Sequence, residues 1–200
     1  MTTDSEINQP KGWHGRGYLP HFEGGEICQF ITIHLGDSLP QKVLSRWKAE
    51  LEREKDENAK IILSGRVENY LDQGYGACFL KDKPIASLVQ ESLLHHDASR
   101  YKLISWVIMP NHLHFLIKPV NNHEVSEIIK KFKSFTAHEA SKVLHRSGKF
   151  WQEDYYDRYI RNFEHYEETI TYIENNPVKA RLCKKREDWK FGSAYYKKNF

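Results

Sequence analysis

The spacing of apolar and polar positions along the chain predicts a succession of short elements. Residues 27–35 (ICQFITIHL) are β-branched and aromatic and read as a strand, closed by Gly36-Asp37-Ser38-Leu39-Pro40, where Asp37 or Ser38 is placed to cap a helix. A helix is expected over 41–55, with Leu44, Trp47 and Leu51 at helical spacing among charged residues. The stretch after it shows no clear period until Pro84, favourable in a first helical turn, opens a second helix through Ile85, Leu88, Val89 and Leu93 to His95. Residues 101–109 and 112–118 are strand-like runs about a Pro110-Asn111 turn, which together make a β-hairpin. Val125, Ile128, Ile129, Phe132 and Phe135 then recur with a helical period over 124–143, ending before Gly148. A further helix fits 164–175, stopped by Asn176-Pro177.

Strand, helix, strand, strand, helix is most of the split βαβ pattern, with a fourth strand expected over 150–160. The expected fold is therefore α+β and ferredoxin-like, an antiparallel sheet with helices on one face. The expected division is an N-terminal arm at 1–26, a central domain at 27–178 and a C-terminal extension at 179–200.

Composition narrows the class. At 200 residues, 40% hydrophobic and 28% charged, the chain can bury a sizeable core, which excludes a disordered tail, a collagen-like repeat and a mini-protein held by disulfides. Cys28, Cys78 and Cys183 are odd in number and lack C-x-x-C spacing, so they read as reduced thiols. Residues 1–15 are polar with no apolar run behind a basic flank, and no later run approaches a membrane span. A cytoplasmic protein with no membrane partner is expected.

Charge changes the picture further. The net +3 conceals 14 Lys+Arg against 16 Asp+Glu in residues 1–126, and 16 against 11 in residues 127–200. The last third is a basic field interleaved with Phe, Trp and Tyr. That combination grips phosphate backbones and stacks on unpaired bases, or else forms ordinary solvated faces.

The sharpest local feature is His112-Leu113-His114. Side chains alternate across a strand, so both imidazoles share one face, either as a chelating pair for a divalent cation or as a polar row on a half-exposed strand. A pair of this kind leaves coordination positions open for a third ligand, water and substrate oxygens. Near the C-terminus, Tyr172 and Asn176 are four apart, hence one helical turn from each other on one face, or simply an amphipathic tyrosine and a helix stop.

The segment WVIMPNHLHFLIKP resembles the His-hydrophobic-His motif of single-tyrosine transposases, and TYIENNPVKARL is similar to the nucleophile helix of that family. RGYLPHFE, FITIHLGDSLP, FWQEDYYDRYIRNFEHY and DWKFGSAYY resemble further blocks of the REP-associated tyrosine transposase group, so the resemblance covers about 16–35 and 100–196, with 56–99 less diagnostic. It implies that the central domain is an HUH-type nuclease that cuts and rejoins single-stranded DNA carrying hairpin-forming repeats. It implies Tyr172 as nucleophile through a 5′-phosphotyrosine, and Mg²⁺ or Mn²⁺ held by His112, His114 and Asn176. Trp151, Arg158 and Arg161 are then candidates for base stacking and phosphate contact, with Asp154 and Asp157 as partners of those arginines. His34 is expected to be a packed strand residue. A second expectation is a hairpin-binding protein of transposase descent that does not cut. Monomer and homodimer both stay open.

Overall fold

The computed structural model describes residues 12–15, 20–54 and 59–199. Of the expected arm, residues 1–11 and 16–19 lie outside them. A small antiparallel hairpin of β1 (Gly12–Gly15) and β2 (Pro20–Glu23) precedes the main sheet, which is built from β3 (Gln29–His34), β4 (Tyr101–Ile108), β5 (His112–Pro119) and β6 (Tyr156–Tyr159). Helices α1 (Gln41–Glu54), α2 (Ala59–Asp72) and α3 (Lys83–His95) lie between β3 and β4. Helix α4 (Val125–Val143) joins β5 to β6, and α5 (Phe163–Lys179) and the short α6 (Ser193–Asn199) close the chain.

The strands run in the order β4-β5-β3-β6, and every neighbouring pair is antiparallel. The two central strands are β3 and β5, and each helical crossover skips one strand, as the split βαβ pattern requires. Alternation along the strands divides the sheet into two faces. Ile31, Ile33, Leu113, Phe115 and Ile117 pack beneath Ile85, Val89 and Leu93 of α3 and Ile128, Ile129 and Phe132 of α4, forming the main core. The expected one-sided layer holds for these two crossover helices. The fifth helix takes the opposite face, where Ile173 packs on Phe30, Val107, Met109 and Leu116.

Several local expectations are corrected. The unassigned stretch holds α2, which packs with α1 in a separate cluster of Leu39, Leu44, Leu63, Val67 and Leu71. Asp37 and Ser38 direct their side chains elsewhere than a cap: Asp37 Oδ2 accepts the Ala77 N–H at 2.9 Å, and Ser38 Oγ donates to the Leu35 carbonyl at 2.8 Å. Pro177 does not stop α5, which continues to Lys179. It ends there in a Schellman turn, with the Leu182 N–H bonded to the Pro177 carbonyl, the Arg181 N–H bonded to the Val178 carbonyl, and Arg181 at φ 58°. A proline so near the end removes one helical hydrogen bond, and tertiary packing outweighs that loss. The fourth strand shrinks to four residues, with Trp151 making only an isolated bridge to Leu35.

Both flanking segments are tied to the domain. The buried Glu23 carboxylate accepts the Val125 and Ser126 N–H groups at 3.0 and 2.9 Å, neutralising the positive end of α4 from a distant part of the chain. His21 sits between Asp154 and Asp157 and stacks on Tyr155. Burial alone would lower its pKa, but the two carboxylates prevail and raise it to about 9. The aspartates thus serve His21, not the arginines proposed for them. At the other end, the Ile108 N–H bonds to the Phe191 carbonyl at 2.8 Å and Trp189 Nε1 donates to the Ile108 carbonyl at 3.0 Å, so the C-terminal segment covers the outer edge of β4. Among the described residues, no helix is long and apolar enough to cross a membrane.

Candidate active site

Strand β5 presents His112 and His114 to the face that α5 covers, and both are fully buried. Their register partners on β3 are His34 and Thr32. Asn111 sets the tautomer of His112. Its amide nitrogen donates to the carbonyls of Leu71 and Tyr75 at 3.1 and 2.9 Å, leaving its oxygen to accept from His112 Nδ1 at 2.8 Å. The lone pair of His112 therefore sits on Nε2, which lies 3.1 Å from His114 Nε2. His114 Nδ1 is 2.8 Å from Thr32 Oγ1, a group that can give or take a proton. Two Nε2 atoms in this position either share one proton or hold one cation between them.

Electrostatics keep the pair ready for ligation. Burial holds the His112 pKa well below its ordinary value, reinforced by His114, His34 and Lys179. Burial, with a smaller contribution from Lys179, holds His114 at about 3. Both rings are neutral at pH 7. His34 is packed, as expected, with Nδ1 2.9 Å from Ser38 Oγ, and burial lowers it to about 4.

Helix α5 brings Tyr172 to the same place. Its ring lies 5.5 Å from that of His114 and 5.9 Å from Phe30, which also stacks on His114 at 5.4 Å. The Tyr172 oxygen is shut off from solvent, and so are both amide atoms of Asn176, one turn further along; Glu68 and Asn176 are polar neighbours of the phenol, but none of these atoms makes a hydrogen bond of good geometry. Burial raises the Tyr172 pKa far above the phenol range, and the carboxylates of Glu68 and Asp72 on α2 raise it further. Lys179 pairs with Asp72 at 2.7 Å and lies 5.9 Å from the Tyr172 ring centre.

The structure thus brings together His112, His114 and Tyr172, with Asn176 beside the tyrosine. Arg158 is exposed on β6 with its guanidinium 5.7 Å above Phe30, at the rim of the same site. Arg161 is exposed in the loop before α5. Trp151 lies apart: it is 4% exposed, its indole donates to Thr136 Oγ1, and it packs with Phe132 and Phe150. Glu68 and Asp72 are additional to the expected set. Their separation by four residues was the available sign, hidden in a stretch without periodicity. Among the described residues no three His, Cys, Asp or Glu side chains form a ready metal cluster. A larger cavity of about 580 Å³, lined by His21, Lys130, Lys133 and Trp151, shares no residue with this site.

The split βαβ fold that carries these residues resembles that of a solved structure. The structure of a REP-associated tyrosine transposase bound to a REP hairpin matches with a TM-score of 0.55 at 17% identity, over 92% of this chain and 82% of that one. A candidate transposase from Deinococcus radiodurans matches with a TM-score of 0.34 at 16% identity, over 82% of this chain and 96% of that one. No curated protein matches the chain significantly. Residues 81–176 match the family model described as Transposase IS200 like. Over that segment, a little under half of the chain, the sequence is similar to the IS200-like transposase family.

Proposed function

We propose that this protein is a metal-dependent single-stranded DNA endonuclease and strand transferase acting on hairpin-forming repeat DNA. Tyr172 is the nucleophile, and His112, His114 and Asn176 hold the cation. The observation that supports this reading is a pair of neutral imidazoles, 3.1 Å apart at Nε2, beside a tyrosine whose buried oxygen, like the buried amide of its neighbour Asn176, makes no hydrogen bond of good geometry. Buried polar groups left unpaired cost roughly 1–3 kcal/mol each, a burden that folding alone does not explain. The hairpin held by the structurally similar transposase supports the choice of substrate.

In this reading Tyr172 Oη attacks the scissile phosphorus, the bond from phosphorus to the 3′ oxygen breaks, the proton given up by the phenol is balanced by one taken up by the departing 3′ oxygen, and the 5′ phosphate stays on the tyrosine. A free 3′ hydroxyl reverses the step, so the bond energy is kept and no nucleotide cofactor is needed. A divalent cation, Mg²⁺ or Mn²⁺, would supply Lewis-acid stabilisation to the phosphate as charge develops, and the nitrogen donors favour Mn²⁺. Burial keeps His112 and His114 unprotonated at neutral pH, Phe30 holds both His114 and Tyr172 in place, and Arg158 and Arg161 meet flanking phosphates.

One observation favours a second reading, a hairpin-binding protein that does not cut: the Tyr172 oxygen is sealed from solvent beneath α2. Labelled single-stranded hairpin DNA incubated with the protein and Mn²⁺ separates the two. A covalent adduct on a denaturing gel that disappears in Tyr172→Phe supports the nuclease. An adduct of equal yield in Tyr172→Phe overturns the assignment, and hairpin binding with no adduct under either Mg²⁺ or Mn²⁺ favours the second reading.

A further inference from the structure

Helix α2 lies outside the segment that matches the transposase family model, yet it meets the centre of the site. Asp72, its last residue, places Oδ1 3.9 Å from His112 Nε2. Lys179 occupies Oδ2 at 2.7 Å, while Oδ1 is buried with no hydrogen-bond partner. The position is held by one side chain: the Asn111 amide bonds to the Leu71 and Tyr75 carbonyls around the end of α2, and its oxygen accepts from His112 Nδ1. Asp72 and His112 also share the lining of a cavity of about 180 Å³ with Lys81, Met109 and Pro110.

We propose that Asp72 is a ligand of the cation held by His112 and His114, joining Asn176 on the oxygen side of the site; this rests on the metal reading above. Charge supplies the first reason. Imidazole and amide ligands bring no negative charge, so a dication held by them alone among buried groups would lie unneutralised in a low-dielectric setting. A carboxylate offsets that charge. Distance supplies the second. Metal–nitrogen and metal–oxygen bonds of about 2.1 Å put adjacent donors of an octahedral site about 3 Å apart. The histidine pair already meets that spacing at 3.1 Å, and Asp72 falls short by less than about 1 Å, within reach of a side-chain rotation. The third is that Asp72 Oδ1 and the amide of Asn176, itself nine-tenths or more buried, both lie near Tyr172 and make no hydrogen bond of good geometry, which leaves buried oxygen donors unsatisfied there.

Mn²⁺ binding to the full-length protein, followed by titration calorimetry and by the electron paramagnetic resonance signal of the bound ion, tests this without DNA. His112→Ala is expected to abolish binding, Asp72→Asn to weaken it by about tenfold or more, and Lys179→Met to leave it equal or tighter, because that change frees the second carboxylate oxygen. Asp72→Asn binding Mn²⁺ as tightly as the parent overturns the ligand role while the metal reading stands. Equal weakening by Lys179→Met and Asp72→Asn also overturns it, since the aspartate would then act only through its ion pair. A parent protein that binds no Mn²⁺, or a His112→Ala variant that binds it equally, removes the metal reading and Asp72 with it. Circular dichroism melts of each variant separate unfolding from lost ligation, and Asp72→Cys, expected to shift preference from Mn²⁺ towards Cd²⁺, adds a sign of direct contact that a structural role would not produce.

Discussion

The two faces of the central sheet are built from the same strands and differ in almost every other respect. On the face under α3 and α4, Ile31, Ile33, Leu113, Phe115 and Ile117 meet other apolar side chains, and burial itself is the stabilising force. On the face under α5 and the end of α2, Thr32, His34, His112, His114 and Asn176 are equally buried but polar, and the amide of Asn176 makes no hydrogen bond of good geometry. The first face is what a folded domain needs. The second carries free-energy costs that a different sequence could avoid, and that difference separates fold from chemistry within a single strand.

Neighbours on β5 give the strongest means of breaking this comparison. His114→Ala is expected to reduce cleavage of hairpin DNA on the order of a thousandfold or more, the loss of several kcal/mol of transition-state stabilisation, while hairpin binding persists. Unchanged single-turnover cleavage would show that the polar face is not catalytic. One residue away and pointing the other way, Phe115→Ala should lower unfolding free energy by about 3–5 kcal/mol in urea titrations, with adduct formation kept in the fraction that stays folded. Loss of chemistry without loss of stability in Phe115→Ala would erase the distinction between the faces.

A smaller effect belongs to the arm. His21 has a folded pKa of about 9 against an ordinary value of 6.5, so its pairing with Asp154 and Asp157 contributes fully below pH 6.5 and is lost as pH rises through 9. Parent stability should therefore fall between those values by at most about 3 kcal/mol relative to His21→Gln, measured by denaturant titrations across pH. A parallel pH profile for the two proteins would mean that the pair contributes nothing. The smallest expected change is at the rim. Arg158→Ala should weaken hairpin binding a few-fold and reduce the dependence of log affinity on log salt by about one, the signature of a single phosphate contact. An unaltered salt slope would place the DNA elsewhere.

The periodic elements were legible in the sequence because each shows one apolar face to one environment. The strand at 29–34, the hairpin around Pro110-Asn111 and the helices at 83–95 and 125–143 all fall within a few residues of expectation. Helix α2 was not legible, and the reason is chemical. Its inward side carries Glu68 and Asp72 as well as Leu63, Val67 and Leu71, so residues that face the protein look like residues that face water. Pro177 misled in the opposite direction, because a strong local stop signal is overruled where Asn176 and Pro177 are themselves buried against the sheet. Trp151 carried the composition of a stacking platform, and only packing revealed it as core.

The sequence by itself determined the split βαβ order, the common face of His112 and His114, and the shared helical face of Tyr172 and Asn176, since all three follow from periods of two or about 3.6 residues along a single element. Tertiary structure decided what those periods cannot: that α5 lies against the histidine face, that Nε2 faces Nε2 at 3.1 Å, that His21 binds the two aspartates, and that a carboxylate from α2 arrives beside His112. Contacts between residues tens of positions apart depend on how elements stack and where buried charges find partners, and no local period encodes either.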